Sequence, residues 1–389
     1  MVTRRLVRYF CRALIILSTA VAGYYYLSRE TLEEQLATLT RLTSFSTHNE
    51  TEINEANSSQ RPVVLIWDSF YGIPVNPFFT QEMADKCVHR CIFTRDRFMA
   101  PRSAAIVFHN RDFNSKQIPR RQSEKQIWVL FGMESPVYTP KESVALNGLI
   151  NWTVTYRRDA DVPFPYKHRL VRLSRNNTVE RAPNVTKDRM AAWFVSHCNA
   201  HSGRQRFVKH LQKVIDVDIY GACGKHKCTP SRSPACYQML AKKYYFYLSL
   251  ENSLCRDYVT EKFYNVLAYD VVPVVMGYAN YSAFSPPGSF IDALSFDSPQ
   301  DLGKYLWNTV HVWKNYSSHF DWKRRYKAVR EMHQAACGLC EKIYRNNSSP
   351  KVYTDIRKWW FDDGDCWTWK PNVRKSFREK NGTENQSRQ

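Results

Sequence analysis

The 389-residue chain is 43% apolar and 14% aromatic with only 13 glycines, enough to bury one large core or two of ordinary size. This excludes a disulfide-stapled miniprotein and a disordered chain. Lys and Arg number 56 against 36 Asp and Glu, a formal charge of +20, so anionic partners are expected. Arg/Gly and Arg/Ser tracts are absent from the sequence, which turns the expectation from RNA toward a phosphorylated small molecule.

At the N-terminus an uncharged stretch from Ala13 to Leu27 follows Arg4, Arg5, Arg8 and Arg12. Residues 1–12 read as a cytoplasmic tail and 13–28 as a signal-anchor transmembrane helix, whose basic flank holds that end in the cytosol and sends the rest of the chain to the lumen. Tyr24 to Tyr26 suit the membrane interface, while Ala20-Val-Ala22 keeps a cleaved signal peptide as the rival reading. Residues 29–61 are Thr-, Glu- and Asn-rich and read as a stem. Eleven Asn-x-Ser/Thr sequons, among them Asn151, Asn280 and Asn315, agree with passage through the secretory pathway. Beyond Cys11 the cysteines number ten, an even set on the oxidising side. Cys87-x3-Cys91 and Cys337-x2-Cys340 are expected to crosslink pair to pair; a four-thiolate zinc site is the alternative that their spacing permits.

Order is expected from Pro62. Three apolar runs, Val63 to Trp67, Ala104 to Phe108 and Ile127 to Phe131, have the continuous character of strands buried on both faces, and helix-compatible segments separate them. The second half repeats the rhythm. Strands are predicted at 191–195, 217–220, 245–250, 271–276 and 289–291, and helices at 204–215, 260–269 and 299–310. The organisation is two Rossmann-like halves, 62–180 and 181–370, with a polar tail at 371–389, and chemistry is expected in the cleft between them.

Gly221-Ala-Cys-Gly-Lys225 has the wrong spacing for a phosphate loop, no GxGxxG occurs, and His109 reads as a packed histidine, so neither a dinucleotide nor a metal is expected. A stronger candidate is the stretch from Glu251 to Lys262, which leaves a strand and enters a helix. Its backbone N–H groups and Lys262 would suit a diphosphate. Glu134, just beyond an apolar strand, sits where α/β clefts open, although a turn-capping role is equally available to it.

Here the sequence resembles the α1,3-fucosyltransferases, an inverting, GDP-fucose-dependent family. The blocks are Phe246-Tyr-Leu-Ser-Leu-Glu-Asn-Ser253, Asp257-Tyr-Val-Thr-Glu-Lys262, Val272-Pro-Val-Val-Met-Gly277, Val195-Ser-His-Cys-Asn199, Glu134-Ser-Pro136 and Val107-Phe-His109 with Arg111-Asp112. The resemblance implies a GT-B architecture, an acceptor side in the first domain and GDP-fucose held by the second. Carried over by position, it implies Glu134 as catalytic base and Ser196, Arg204, Tyr247, Asn252, Glu261 and Lys262 as the donor site. It implies no required metal, a divalent ion being at most stimulatory, and no nucleic-acid partner. The implied acceptor is a GlcNAc-bearing glycan on glycoproteins, and the implied home is the Golgi membrane, with a homodimer left open. The alternative is a catalytically silent glycan- or nucleotide-sugar-binding protein on the same fold.

Overall fold

The first apolar runs fold as parallel strands: β1 (Val63–Ile66), β2 (Ile92–Thr94), β3 (Ala105–His109), β4 (Ile127–Gly132), β5 (Trp152–Thr155) and β6 (Val162–Pro163), in the order β2-β1-β3-β4-β5-β6. The computed structural model describes residues 61–166, 168–174, 187–346 and 351–373. The anchor, the stem up to residue 60, Cys11, the tail beyond 373 and the sequons at Asn49, Asn57, Asn176, Asn184, Asn347, Asn381 and Asn385 lie outside the described residues. Among the described residues no helix is long and apolar enough to cross a membrane.

Alternate residues of β1, β3 and β4 feed two separate cores, which is why their sequences are apolar throughout. Val64, Val107 and Val129 face α1 (Gln81–Asp85) and its surroundings, whereas Leu65, Ile106, Phe108 and Trp128 face Ala100, Leu146 and Ile356.

The second sheet is also parallel, running β12-β11-β10-β8-β9. Its strands are β8 (Arg189–Phe194), β9 (Val217–Tyr220), β10 (Tyr244–Leu250), β11 (Val272–Met276) and β12 (Ile291–Asp292). An antiparallel pair, β7 (His168–Arg172) with β13 (Tyr326–Arg330), lies outside both sheets. One face of the second sheet carries α2 (Arg204–Leu211) and α5 (Pro299–His311) through Phe207, Leu211, Leu302 and Leu306. Tyr316 from α6 (Trp313–Ser318) joins that core. The other face carries α3 (Pro234–Lys243) and α4 (Glu261–Tyr264). Strand order reverses between β8 and β10, so the crevice for a ligand is expected at their carboxyl ends.

The structure amends the expected organisation. The helix predicted over 260–269 is a four-residue α-helix followed by a separate 3-10 turn at Val266–Ala268. The chain also does not stay in the second half to residue 370. Helix α7 (Gln334–Tyr344) returns to the first sheet and buries Ala335, Ala336 and Leu339 against it. Two disulfides fix the return, Cys87–Cys337 and Cys91–Cys340, so those four sulfurs are paired and not thiolates. Three more join Cys198 to Cys223, Cys228 to Cys236 and Cys255 to Cys366.

Candidate active site

The carboxyl ends of β4, β8 and β10 open into one cavity of about 560 Å³. Glu134, Ser196, Arg204, Asn252, Glu261 and Lys262 all line it, drawn from segments up to 128 positions apart. Tyr247 does not. Strand alternation sends it to the face covered by α3, where it is 2% exposed beside Ala192, Tyr237 and Val266, a core position. A larger cavity of about 720 Å³ lies elsewhere, its wall built from α2, the start of α5 and residues 367–373, and it contains none of the candidate residues.

Glu134 is half-buried and receives a hydrogen bond of 3.2 Å at Oε2 from the Tyr258 hydroxyl. Tyr258 reaches it because Cys255 is tied to Cys366 and Asp257 turns the chain at a φ of +60°, a conformation that Asp tolerates better than most residues. The Tyr166 hydroxyl donates to the Met133 carbonyl and lies 3.4 Å from that of Tyr258. The neighbouring serines, Ser135 and Ser253, meet at 2.7 Å between their hydroxyl oxygens and pin the two strand ends to one another.

The cations stand on the other wall. Arg204 is 3% exposed, donating from Nη1 to the Leu250 carbonyl at 2.7 Å and from Nη2 to the His197 carbonyl at 3.1 Å, which leaves its Nε without a partner. Burial pulls its pKa down, and the Glu251 charge opposes that. Lys262 Nζ donates to Glu251 at 3.1 Å and Thr260 at 2.8 Å, with Glu261 at 3.4 Å. Burial works against the ammonium, but Glu251 and Glu261 outweigh it and its pKa is raised. Ser196 is exposed at the end of β8. Its loop lies close against Gly221, where a Cβ would stand 2.5 Å from the Val195 carbonyl, and the Cys198–Cys223 bridge ties the same two loops.

Three features were not read from the sequence. First, part of the α4 N-terminus is already taken: the fully buried Glu251 carboxylate accepts from Thr260 N at 2.8 Å, and the Thr260 hydroxyl accepts from Lys262 N. Negative charge from a ligand must therefore be met mainly by side chains. Secondly, Arg232 lines the cavity and pairs with Glu261 at 3.5 Å. It lies in a loop closed by the Cys228–Cys236 bridge, and nothing periodic in the sequence marks it. Thirdly, Tyr258, and not Tyr247, is the tyrosine of this stretch that lines the cavity, as Tyr71 and Tyr166 also do; its place in a loop just before Thr260-Glu-Lys262, rather than within a strand, is the signal that separates it from Tyr247.

Two models cover this architecture, one described as glycosyltransferase family 10 (fucosyltransferase), C-terminal, over residues 184–359, the other as fucosyltransferase, N-terminal, over 59–167. The chain belongs to glycosyltransferase family 10. Among its relatives is the glycoprotein 3-alpha-L-fucosyltransferase A of Drosophila melanogaster, 34% identical over 82% of this chain and 64% of that protein, so the match spans just under two thirds of its length. The 4-galactosyl-N-acetylglucosaminide 3-alpha-L-fucosyltransferase 9 of Bos taurus is 33% identical over 77% of this chain and 82% of its own. A crystal structure of an alpha1,3-fucosyltransferase with GDP covers 75% of this chain and 93% of its own, at 13% identity and a TM-score of 0.48.

In the first sheet of this fucosyltransferase-family chain, outside the cavity lining, lies a polar group with a pH signature. Asp68, 7% exposed at the end of β1, accepts from the His109 backbone N–H at 3.0 Å. Burial pushes its pKa from 3.8 up to about 7 despite that bond. His109 is biased the other way, burial pulling it down to about 4, so its ring is neutral near pH 6. Because the folded pKa of Asp68 exceeds the unfolded one, its contribution to stability is full below about pH 4 and is lost as pH rises through about 7. Asp68→Asn is therefore expected to stabilise the protein by roughly 2–4 kcal/mol at pH 8 and to do nothing at pH 4. Urea melts at the two pH values check this; the same gain at both would show that charge is not the cause.

Proposed function

We propose that this protein is an α1,3-fucosyltransferase that moves L-fucose from GDP-β-L-fucose to the 3-hydroxyl of a GlcNAc residue on glycoprotein glycans, with inversion. The observation that carries the reading is that the Glu134 carboxylate, just beyond β4, shares one cavity with Arg204 and Lys262 from the starts of α2 and α4 and with Arg232 from the Cys228–Cys236 loop, in a chain of this family. As the C1–O bond to GDP breaks, negative charge grows on the diphosphate, and fixed cations stabilise that transition state more than the ground state. The acceptor oxygen forms the new bond to C1 from the other face, and its proton passes to Glu134. Asn252, Glu261 and Ser196 are assigned to hydroxyl groups of the donor. The three cations supply the charge that a metal would otherwise bring, so none is required, and a divalent ion would at most stimulate.

Residence in the Golgi lumen on a single anchor is part of the proposal, supported by the basic-then-apolar N-terminus, the sequons and five disulfides. The deciding test incubates the purified protein with labelled GDP-fucose and two acceptors, an asparagine-linked core GlcNAc and a terminal lactosamine. Transfer to either supports the enzyme, whereas binding of both substrates without transfer would make it a silent lectin-like relative. Arg232→Ala is expected to lower kcat/KM for the donor about tenfold, through a raised KM and a lowered kcat together, the size of one exposed charge-assisted contact that strengthens as the diphosphate leaves. Donor saturation curves read this directly, and an unaltered kcat/KM would remove Arg232 from the donor site.

A further inference from the structure

Tyr71 enters neither the donor site nor the base, yet its backbone is strained. Phe70 and Ile73 exchange backbone hydrogen bonds of 2.8 and 3.0 Å, closing a two-residue turn whose central residues, Tyr71 and Gly72, both have positive φ, +53° and +73°. Such turns take Asn-Gly or Gly-Gly readily, while a bulky side chain in the left-handed region is held there against a penalty on the order of 1 kcal/mol. Burial does not repay that penalty well, because the residue is still 39% exposed. The surroundings instead hold the turn in place: Asp112 accepts from the Ser69 hydroxyl and the Gly72 N–H, each at 2.8 Å. Phe70 and His109 meet the ring edge-on at 4.7 and 5.4 Å, and the Arg111 guanidinium stands 5.2 Å from its centroid. What this achieves is a phenol in the wall of the cavity that Glu134 also lines.

We propose that Tyr71 is an acceptor-contacting residue: the strained turn presents its ring and hydroxyl as the surface over which the acceptor pyranose is brought to Glu134. Strain kept beside a reacting group is a recurrent mark of function, and an aromatic ring next to a hydroxyl donor matches a sugar's C–H face and its polar rim. The inference rests on the reading of Glu134 as base. It extends that reading by assigning acceptor affinity to a residue that lies apart from the donor cations.

Calorimetric titration of the GDP-loaded protein with a lactosamine and with a core GlcNAc glycopeptide, on the parent and on Tyr71→Asn and Tyr71→Phe, tests it. Asn suits the left-handed turn, so Tyr71→Asn is expected to melt close to the parent while its acceptor Kd rises at least tenfold and its GDP Kd stays within twofold. Tyr71→Phe keeps the ring and should retain most of the affinity. Parental acceptor affinity in Tyr71→Asn, or loss of GDP affinity in step with acceptor affinity, overturns the proposal. Because the readout is binding, a parent that binds acceptor without transferring fucose refutes the enzyme reading and leaves this inference standing on its own result; a parent that binds neither acceptor refutes both.

Discussion

Glu134→Gln is expected to lower kcat by about 10³-fold while leaving the GDP Kd within threefold of the parent, a general base being worth roughly 10²–10⁴. The substitution is nearly isosteric, and the amide oxygen still accepts from the Tyr258 hydroxyl, so the arrangement at the end of β4 is kept. What is lost is the ability to take the acceptor's proton as C1 is attacked. In the proposed function donor binding draws on Arg204 and Lys262, contributed by other segments of the cavity lining, and has no reason to follow. Single-turnover transfer of labelled fucose together with calorimetry of GDP separates the two quantities. Transfer at the parental rate would mean that another group takes the proton.

Lys262→Ala should produce the second large effect, and in two measurable parts. The ammonium holds together a buried cluster in which Glu251 is 0% exposed and Glu261 lies 3.4 Å away, so its removal leaves a carboxylate in the interior without its cation. Breaking such a pair destabilises by about 3–5 kcal/mol. Burial already raises the Glu251 pKa, so proton uptake relieves part of the loss and the destabilisation shrinks as pH falls. The GDP Kd is expected to rise about 100-fold, equivalent to roughly 2.7 kcal/mol. The double variant Lys262→Ala with Glu251→Gln removes the stranded charge and should recover most of the melting temperature but none of the donor affinity. Recovery of both would make Lys262 a structural cation only.

Much of this protein follows from local pattern. A strand buried on both faces must be apolar at every position, so β1, β3, β4, β10 and β11 are visible as continuous runs, and parallel pairing of such runs makes an α/β protein with a cleft at their carboxyl ends. Glu134 is legible for the same reason, standing two positions beyond β4; Ser196 and Asn252 stand two positions beyond β8 and β10, but the family resemblance is what singled them out. The near-equal spacing of Cys87/Cys91 and Cys337/Cys340 also permits a pairing of segments some 250 residues apart. Helix α7 is less legible, because the surface it covers belongs to a sheet formed far earlier in the chain and no local signal states which lobe it joins.

What the sequence by itself determined is the family, the alternation of strands and helices, and the presence of a carboxylate beyond a strand end and of cations at helix starts, because these rest on periodicity, on motif blocks and on residue type at a fixed distance from an element. Only the tertiary structure decided that Tyr247 faces the core while Tyr258 faces Glu134, that Glu251 accepts from the Thr260 cap of α4, and that Arg232 and Tyr71 reach the same cavity. Each of those outcomes depends on the direction of a side chain relative to a group distant in sequence. Direction is set by strand parity, left-handed turns and disulfide-closed loops acting together, and no single segment of the chain contains that information.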